Sequence, residues 1–159
     1  MVSSVRELSL QDVGLAVKRL QWRHHREANG RLLAEVGLSL PQWDVLRHLH
    51  QRPDASLHEL AQLTFQTDQS MGTLASRMID KGLLERVAGP GRAVRHATTP
   101  AGERARRAGS DIVDEILAES VGSLSPAERA TLYRLLTAAV SAPPARPGSR
   151  VPPTIEARG

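Results

Sequence analysis

The chain contains no cysteine. That removes disulfides, thiolate catalysis, cysteine-ligated zinc and thiol redox sensing together. Lysine is nearly absent too, with only Lys18 and Lys81, so the basic charge is carried by arginine. Aromatic residues make up 3%, so a core must rest on leucine, alanine, valine and methionine, a composition that favours helices. No stretch approaches the roughly 18 apolar residues of a membrane span, and the N-terminus lacks a basic segment followed by an apolar run. The expectation is a soluble, cytoplasmic protein with no membrane partner. No Ser-His-Asp arrangement, HExxH, phosphate loop or dinucleotide fingerprint is present, so neither enzyme activity nor a cofactor is expected. The six histidines do not pair along helices. His24 and His25 are adjacent, His48 and His50 are two apart, and both spacings send the rings to different sides. No metal site is expected.

What is present is legible punctuation. At 159 residues the chain suits one domain with extensions, and its net charge of +4 points weakly toward a polyanionic partner. Ser39 with Gln42, Ser56 with Glu59 and Ser125 with Glu128 have the spacing of capping boxes, and Ser9 with Asp12 is a weaker acidic version. Pro126 stands at a favoured first helical position. These signals predict six helices, at 9–35, 40–51, 56–64, 68–81, 100–121 and 126–140. Between the fourth and fifth, "LLERVAGPGRAVRHATT" places apolar residues on either side of a Gly89-Pro90-Gly91 turn, which predicts a two-stranded ribbon carrying Arg86, Arg92, Arg95 and His96. Thr99 and Pro100 open the fifth helix. Residues 142–159 are rich in Pro, Gly, Ser and Arg and read as a disordered tail.

The fourth helix, "TDQSMGTLASRMIDKG", has two sides of different character. Met71, Leu74, Ala75 and Met78 recur at i, i+3, i+4 and i+7 and form a stripe for burial. The other side holds Gln69, Ser70, Thr73, Ser76, Arg77 and Asp80, mostly short hydrogen-bonding groups in place of the Glu and Lys of an ordinary solvated face. Such side chains suit base edges in a major groove. Asp80 would oppose phosphate, and is expected to point away or to pair with Arg77 or Lys81. Gly72 lies beside the buried stripe, where it permits either close helix packing or close approach of a DNA backbone. Ser56 and Thr67, as helix caps, are candidates for phosphate contact.

Helix, short helix, tight connection, helix and ribbon in that order make a winged helix-turn-helix, with "TFQT" as the turn. Residues 38 to 102 resemble the MarR family of bacterial transcription regulators. The resemblance is carried by "LSLPQWDVL", "SLHELAQ", "MIDKGLLER" and "TTPAGE", in that order and spacing. It extends more loosely over 9–140. It implies a mainly α fold with a small β-ribbon wing, an N-terminal dimerisation helix in 1–37, a DNA-binding region at 38–99 and C-terminal dimerisation helices at 100–141.

The resemblance also assigns roles. Gln69, Ser70 and Thr73 occupy positions that usually face bases, and Arg77 one where an arginine reaches phosphate or base. Family members often brace a wing arginine with an Asp, whereas no acid lies here between Glu85 and Glu103. Arg92 or Arg95 would fill the minor-groove role without that support, with Arg86 nearby. Double-stranded DNA and a second copy of the chain are the implied partners. The apolar 3-4 spacing of Leu10, Val13, Val17, Leu20 and His24, and the stripes Ala105, Ala108, Ile112, Ile116 and Leu132, Leu135, Leu136, Ala139, suit a homodimer. Family members also bind small aromatic or anionic effectors, for which Trp22, His25, Arg26 and Trp43 are candidate lining, Trp43 fitting the core better. The expected function is a ligand-responsive repressor acting on a pseudopalindromic operator. A protein-binding winged helix and a metal-responsive regulator are the rival readings.

Overall fold

A computed structural model describes residues 8–91 and 94–142. The elements run α1 (Leu10–Val36), α2 (Leu40–Gln51), α3 (Leu57–Leu63), α4 (Asp68–Asp80), β1 (Leu84–Ala88), β2 (Val94–Thr98), α5 (Pro100–Ala118), a single 3-10 turn (Val121–Ser123) and α6 (Pro126–Ser141). The chain divides into two units, residues 1–120 and 121–159. The tail expected to be disordered falls, from residue 143 onward, outside the described residues, as does Arg92.

The helix starts follow their caps. Ser9, Ser39, Ser56 and Ser125 each form a complete capping box, and Thr67 and Thr99 cap α4 and α5. At the other end of α4, Gly82 takes a φ of +69°. Its N–H donates to Ile79 O (2.8 Å) while Leu83 N–H donates to Met78 O (2.9 Å). This is the double closure of a Schellman motif, which requires a left-handed residue that glycine supplies without steric cost. Strand β1 begins two residues later. The ribbon is antiparallel, with Leu84 opposite Thr98, Arg86 opposite His96 and Val87 opposite Arg95.

One core lies within the first unit. Leu32 of α1, Leu46 of α2, Leu60 of α3, Met71 and Met78 of α4 and Leu84 of β1 are fully buried in it. Helix α5 closes the core with Ile112 and Ile116. The stripe expected on α5 is therefore spent largely inside its own chain, and Ala108 is exposed while Gly109 is buried. Gly109 lies against Trp43, whose Cδ1 leaves no room for a Cβ there. Gly102 is similarly confined, by Leu83 O. Trp43 is a core residue whose Nε1–H donates to Arg106 O at 3.2 Å.

Helix α1 behaves differently along its length. Only Ala28 and Leu32 are buried, while Leu10 (93% exposed), Val13 and Val17 present an apolar seam that nothing in the chain covers among the described residues. In the second unit, α6 buries none of its residues and exposes Tyr133, Leu135, Leu136 and Val140. Among the described residues no helix is long and apolar enough to cross a membrane.

The turn between α3 and α4 holds a feature that the sequence did not announce. Phe65 has a φ of +56° and is 95% exposed. The left-handed region costs a side-chain-bearing residue about 1–2 kcal/mol, so this turn is strained and also leaves the chain's one phenylalanine in solvent.

Candidate functional site

Helix α4 is oriented by what it buries. Met71, Ala75 and Met78 are sealed in the core, which turns Gln69, Ser70, Thr73, Ser76, Arg77 and Asp80 outward, all exposed. Four of these, Gln69, Ser70, Thr73 and Arg77, line a single groove of about 380 Å3 together with Pro41 of α2 and Gln66 of the turn. Pro41 and Gln66 are additions to the site. Neither lies on α4, so helix periodicity carried no signal for them.

The hydroxyls on this face are partly used. Thr67 Oγ1 accepts from Ser70 N–H (3.1 Å) and donates to Ser70 Oγ (2.9 Å), and Thr73 Oγ1 donates to Gln69 O (3.2 Å). Ser70 and Thr73 keep acceptor capacity, and Gln69 and Arg77 form no side-chain hydrogen bond or ion pair among the described residues. Asp80 pairs with neither Arg77 nor Lys81. Lys81 instead donates to Gly37 O at 3.3 Å and Gln42 Oε1 at 3.5 Å. A Cβ built on Gly72 meets nothing within 4 Å, which removes close helix packing as the reason for that glycine.

Helices α3 and α4 are tied by a short relay. Gln62 Nε2 donates to His58 Nε2 (3.1 Å), and His58 Nδ1 donates to Asp68 Oδ1 and Oδ2 (2.9 and 3.0 Å). The cap at Ser56 is fully occupied by Glu59, whose carboxylate accepts from both the Ser56 amide and its hydroxyl at 2.7 Å. Those bonds hold Glu59 below the usual carboxylate range, assisted by the charges of Arg95 and Arg52. The acid at the start of α3 repels a phosphate, so Ser56 is arranged as a cap, with its hydroxyl already engaged.

In the wing, register separates the arginines. Arg86 shares a face with its partner His96, whereas Arg95 shares the opposite face with Val87. His96 is buried, and burial, then the charge of Arg86, holds its imidazole below the ordinary value. The charge of Arg95 acts weakly on Glu59 of α3, but the two form no ion pair among the described residues.

A second cavity, of about 430 Å3, opens between α1, α2, the 64–67 turn and α5, with His24, His25, Asp44, Thr64, Phe65 and Gln66 in its wall. Of the four residues expected to line an effector pocket, only His25 is in the wall of this cavity. Trp43 is buried in the core, and Trp22 and Arg26 lie outside the lining. Trp22 is 60% exposed and stacks on His25, ring centroids 6.3 Å apart. Among the described residues no group of three or more His, Cys, Asp or Glu could hold a metal ion. His24 instead lies 2.6 Å from Ser120 Oγ.

Comparison with known proteins bears on these features. A model of the MarR family matches residues 36–93, and no curated protein sequence matches the chain. The MarR family protein Rv2887 of Mycobacterium tuberculosis is 26% identical in its complex with p-aminosalicylic acid. That likeness covers 81% of this chain and 98% of the other, with a TM-score of 0.66. The same protein solved in complex with DNA gives 25% identity, coverage of 81% and 98%, and a TM-score of 0.64. CouR of Rhodococcus jostii RHA1, solved bound to p-coumaroyl-CoA, shares the fold at 18% identity, with coverage of 83% and 94% and a TM-score of 0.74. Through residues 36–93 the winged helix-turn-helix of this chain is similar to that of the MarR family, and the fold is shared with solved members of that family.

Proposed function

We propose that the protein is a sequence-specific DNA-binding transcriptional regulator, a ligand-responsive repressor that acts as a homodimer on a pseudopalindromic operator. The observation that carries this reading is the outer face of α4. Gln69, Ser70, Thr73 and Arg77 share one exposed groove; Gln69 and Arg77 have hydrogen-bonding capacity to spare, and Arg77 a positive charge as well. Such a face donates to and accepts from base edges at short range. The wing supplies Arg86 and Arg95, and the sequence between its strands adds Arg92, for the sequence-independent attraction to phosphate or a narrow minor groove. Thr67 remains a candidate phosphate contact through the amides it caps, and Ser56 a weaker one beside Glu59. The relative Rv2887, solved with DNA, supports the same partner.

The uncovered apolar seam of Leu10, Val13 and Val17 on α1 and the exposed leucines of α6 support self-association. A two-fold dimer reads two half-sites about 34–36 Å apart, one turn of DNA. Repression then follows from occupying promoter DNA. The 430 Å3 cavity, which shares its wall with the turn preceding α4, supports a small aromatic effector, and Rv2887 solved with p-aminosalicylic acid supports the same class.

The test is a titration of the protein against the DNA flanking its own gene at several salt concentrations. Affinity is expected to fall steeply, by a logarithmic slope of about 0.9 for each phosphate neutralised. A flat response, or unchanged binding by both Thr73→Ala and Arg77→Ala, would overturn DNA reading in favour of a winged helix that binds protein. Loss of operator affinity on chelation would favour a metal-responsive regulator. Val13→Asp with Val17→Asp, followed by sedimentation, tests the dimer.

A further inference from the structure

The effector cavity has a charge character of its own. Among the described residues its wall carries one carboxylate, Asp44, and no lysine or arginine. Arg47 holds Asp44 from outside the cavity, through Nε (3.0 Å) and Nη2 (2.7 Å), and both contacts fall on Oδ1. Oδ2 accepts no hydrogen bond among the described residues, so the carboxylate keeps an oxygen for a further donor. Arg47 itself is turned away, over the Trp43 ring (5.5 Å to the centroid) and onto His48 Nε2 at 2.9 Å. The remaining polar groups in the wall are His24, His25, Gln21, Gln66 and Thr64. His24 is taken up by Ser120 and Thr64 by Leu60 O. An anion entering here meets a carboxylate and no fixed cation.

The cavity also has an aromatic element aimed at a planar partner. Phe65 lines it, yet the ring is almost wholly in solvent and its backbone is left-handed. An exposed phenyl group beside a cavity gains by covering a ligand ring, since that removes apolar surface from water and offers stacking. Two residues link the cavity to the outer face of α4: Gln66 and Pro41 line both the cavity and the groove beneath Gln69, Ser70, Thr73 and Arg77.

We propose that the cavity takes a small planar aromatic cation, its N–H groups on Asp44 Oδ2 and its ring under Phe65, and that binding shifts the partition formed by Pro41 and Gln66. This rests on the effector reading above and names the ligand class, which differs in charge from the p-aminosalicylic acid bound by the relative Rv2887. A ligand that changes the equilibrium must interact differently with the two states. Phe65 provides that difference, since it is uncovered in the structure described here and covered in the bound form.

Three isosteric probes, benzamidine, benzamide and benzoate, separate the alternatives at about pH 8, above the ordinary imidazole value. Calorimetry on the full chain is expected to rank benzamidine tightest, about tenfold or more over benzoate. Asp44→Asn should reduce that preference to about threefold or less, and Phe65→Ala should weaken all three probes without altering their order. Benzoate binding as well as benzamidine, or a preference unaltered in Asp44→Asn, overturns the charge assignment while leaving the effector site intact. Absence of binding by every probe in a protein that still binds DNA overturns the cavity as an aromatic site. Probe binding without any DNA binding would leave this inference standing and remove the regulatory one.

Discussion

His58 Nδ1 lies 2.9 Å from Asp68 Oδ1, so α3 holds the first turn of α4 by a side chain. Both groups are exposed, and such pairs contribute at most about 1 kcal/mol. His58→Ala is therefore expected to lower global stability only slightly while loosening the start of α4. Amide hydrogen exchange at Gln69 and Ser70 should accelerate more than at Met78. Equal exchange in variant and parent would mean the relay plays no part in holding the helix.

Gly72 and Gly109 sit inside helices in opposite surroundings. Nothing lies near a Cβ at Gly72, whereas one at Gly109 collides with Trp43. Gly72→Ala should raise stability by about 1 kcal/mol and, on the proposed DNA reading, weaken operator binding, because a methyl group is added beside the face assigned to DNA. Gly109→Ala should cost about 1–3 kcal/mol and perturb Trp43 fluorescence. If Gly72→Ala bound DNA at full strength, close approach at that position would be excluded.

His96 and His48 both titrate below the ordinary imidazole value of 6.5, chiefly through burial and secondarily through Arg86 and Arg47. An imidazole whose folded value is depressed takes up its proton more readily in the unfolded chain. Stability is then lost as pH falls through about 6.5 and is level above it. Urea midpoints should be flat between about pH 7 and 8 and decline toward pH 5.5. His96→Gln should flatten part of that decline, and an identical slope in the variant would assign it elsewhere.

Base reading and charge are separable. Gln69→Ala is expected to change which operator variants are preferred, by about 1–3 kcal/mol at the base concerned. Arg95→Ala should weaken all DNA sequences evenly and reduce the salt slope by about one. A binding survey over randomised half-sites distinguishes the two, and a shift in sequence preference caused by Arg95→Ala would give the wing a reading role instead.

The sequence disclosed what local chemistry decides. Capping boxes at Ser39, Ser56 and Ser125 involve groups three residues apart, so their spacing was readable, and the Met71, Ala75, Met78 stripe fixed which face of α4 turns outward. What escaped was tertiary. Glu59 reaches the charge of Arg95 across a gap of 36 positions, and Pro41 joins the α4 groove from another helix. The stripe on α5 misled because Gly109 looks like a gap in an apolar pattern, when the tryptophan packed on it makes that position part of the core. The left-handed Phe65 had no signal, since glycine or asparagine ordinarily marks such a site.

The Schellman closure leaves only Lys81, Gly82 and Leu83 between the end of α4 and the first residue of β1. With Thr99 Oγ1 also donating to Gly82 O at 2.6 Å, the exit of the wing is fastened to the same point. Helix and ribbon are thereby a single caliper with no slack at its pivot. On the DNA reading, the distance between the bases read by α4 and the flanking step met by the wing becomes a fixed length. An operator with one base pair inserted between them would lose one contact or the other, even with every contacted base intact.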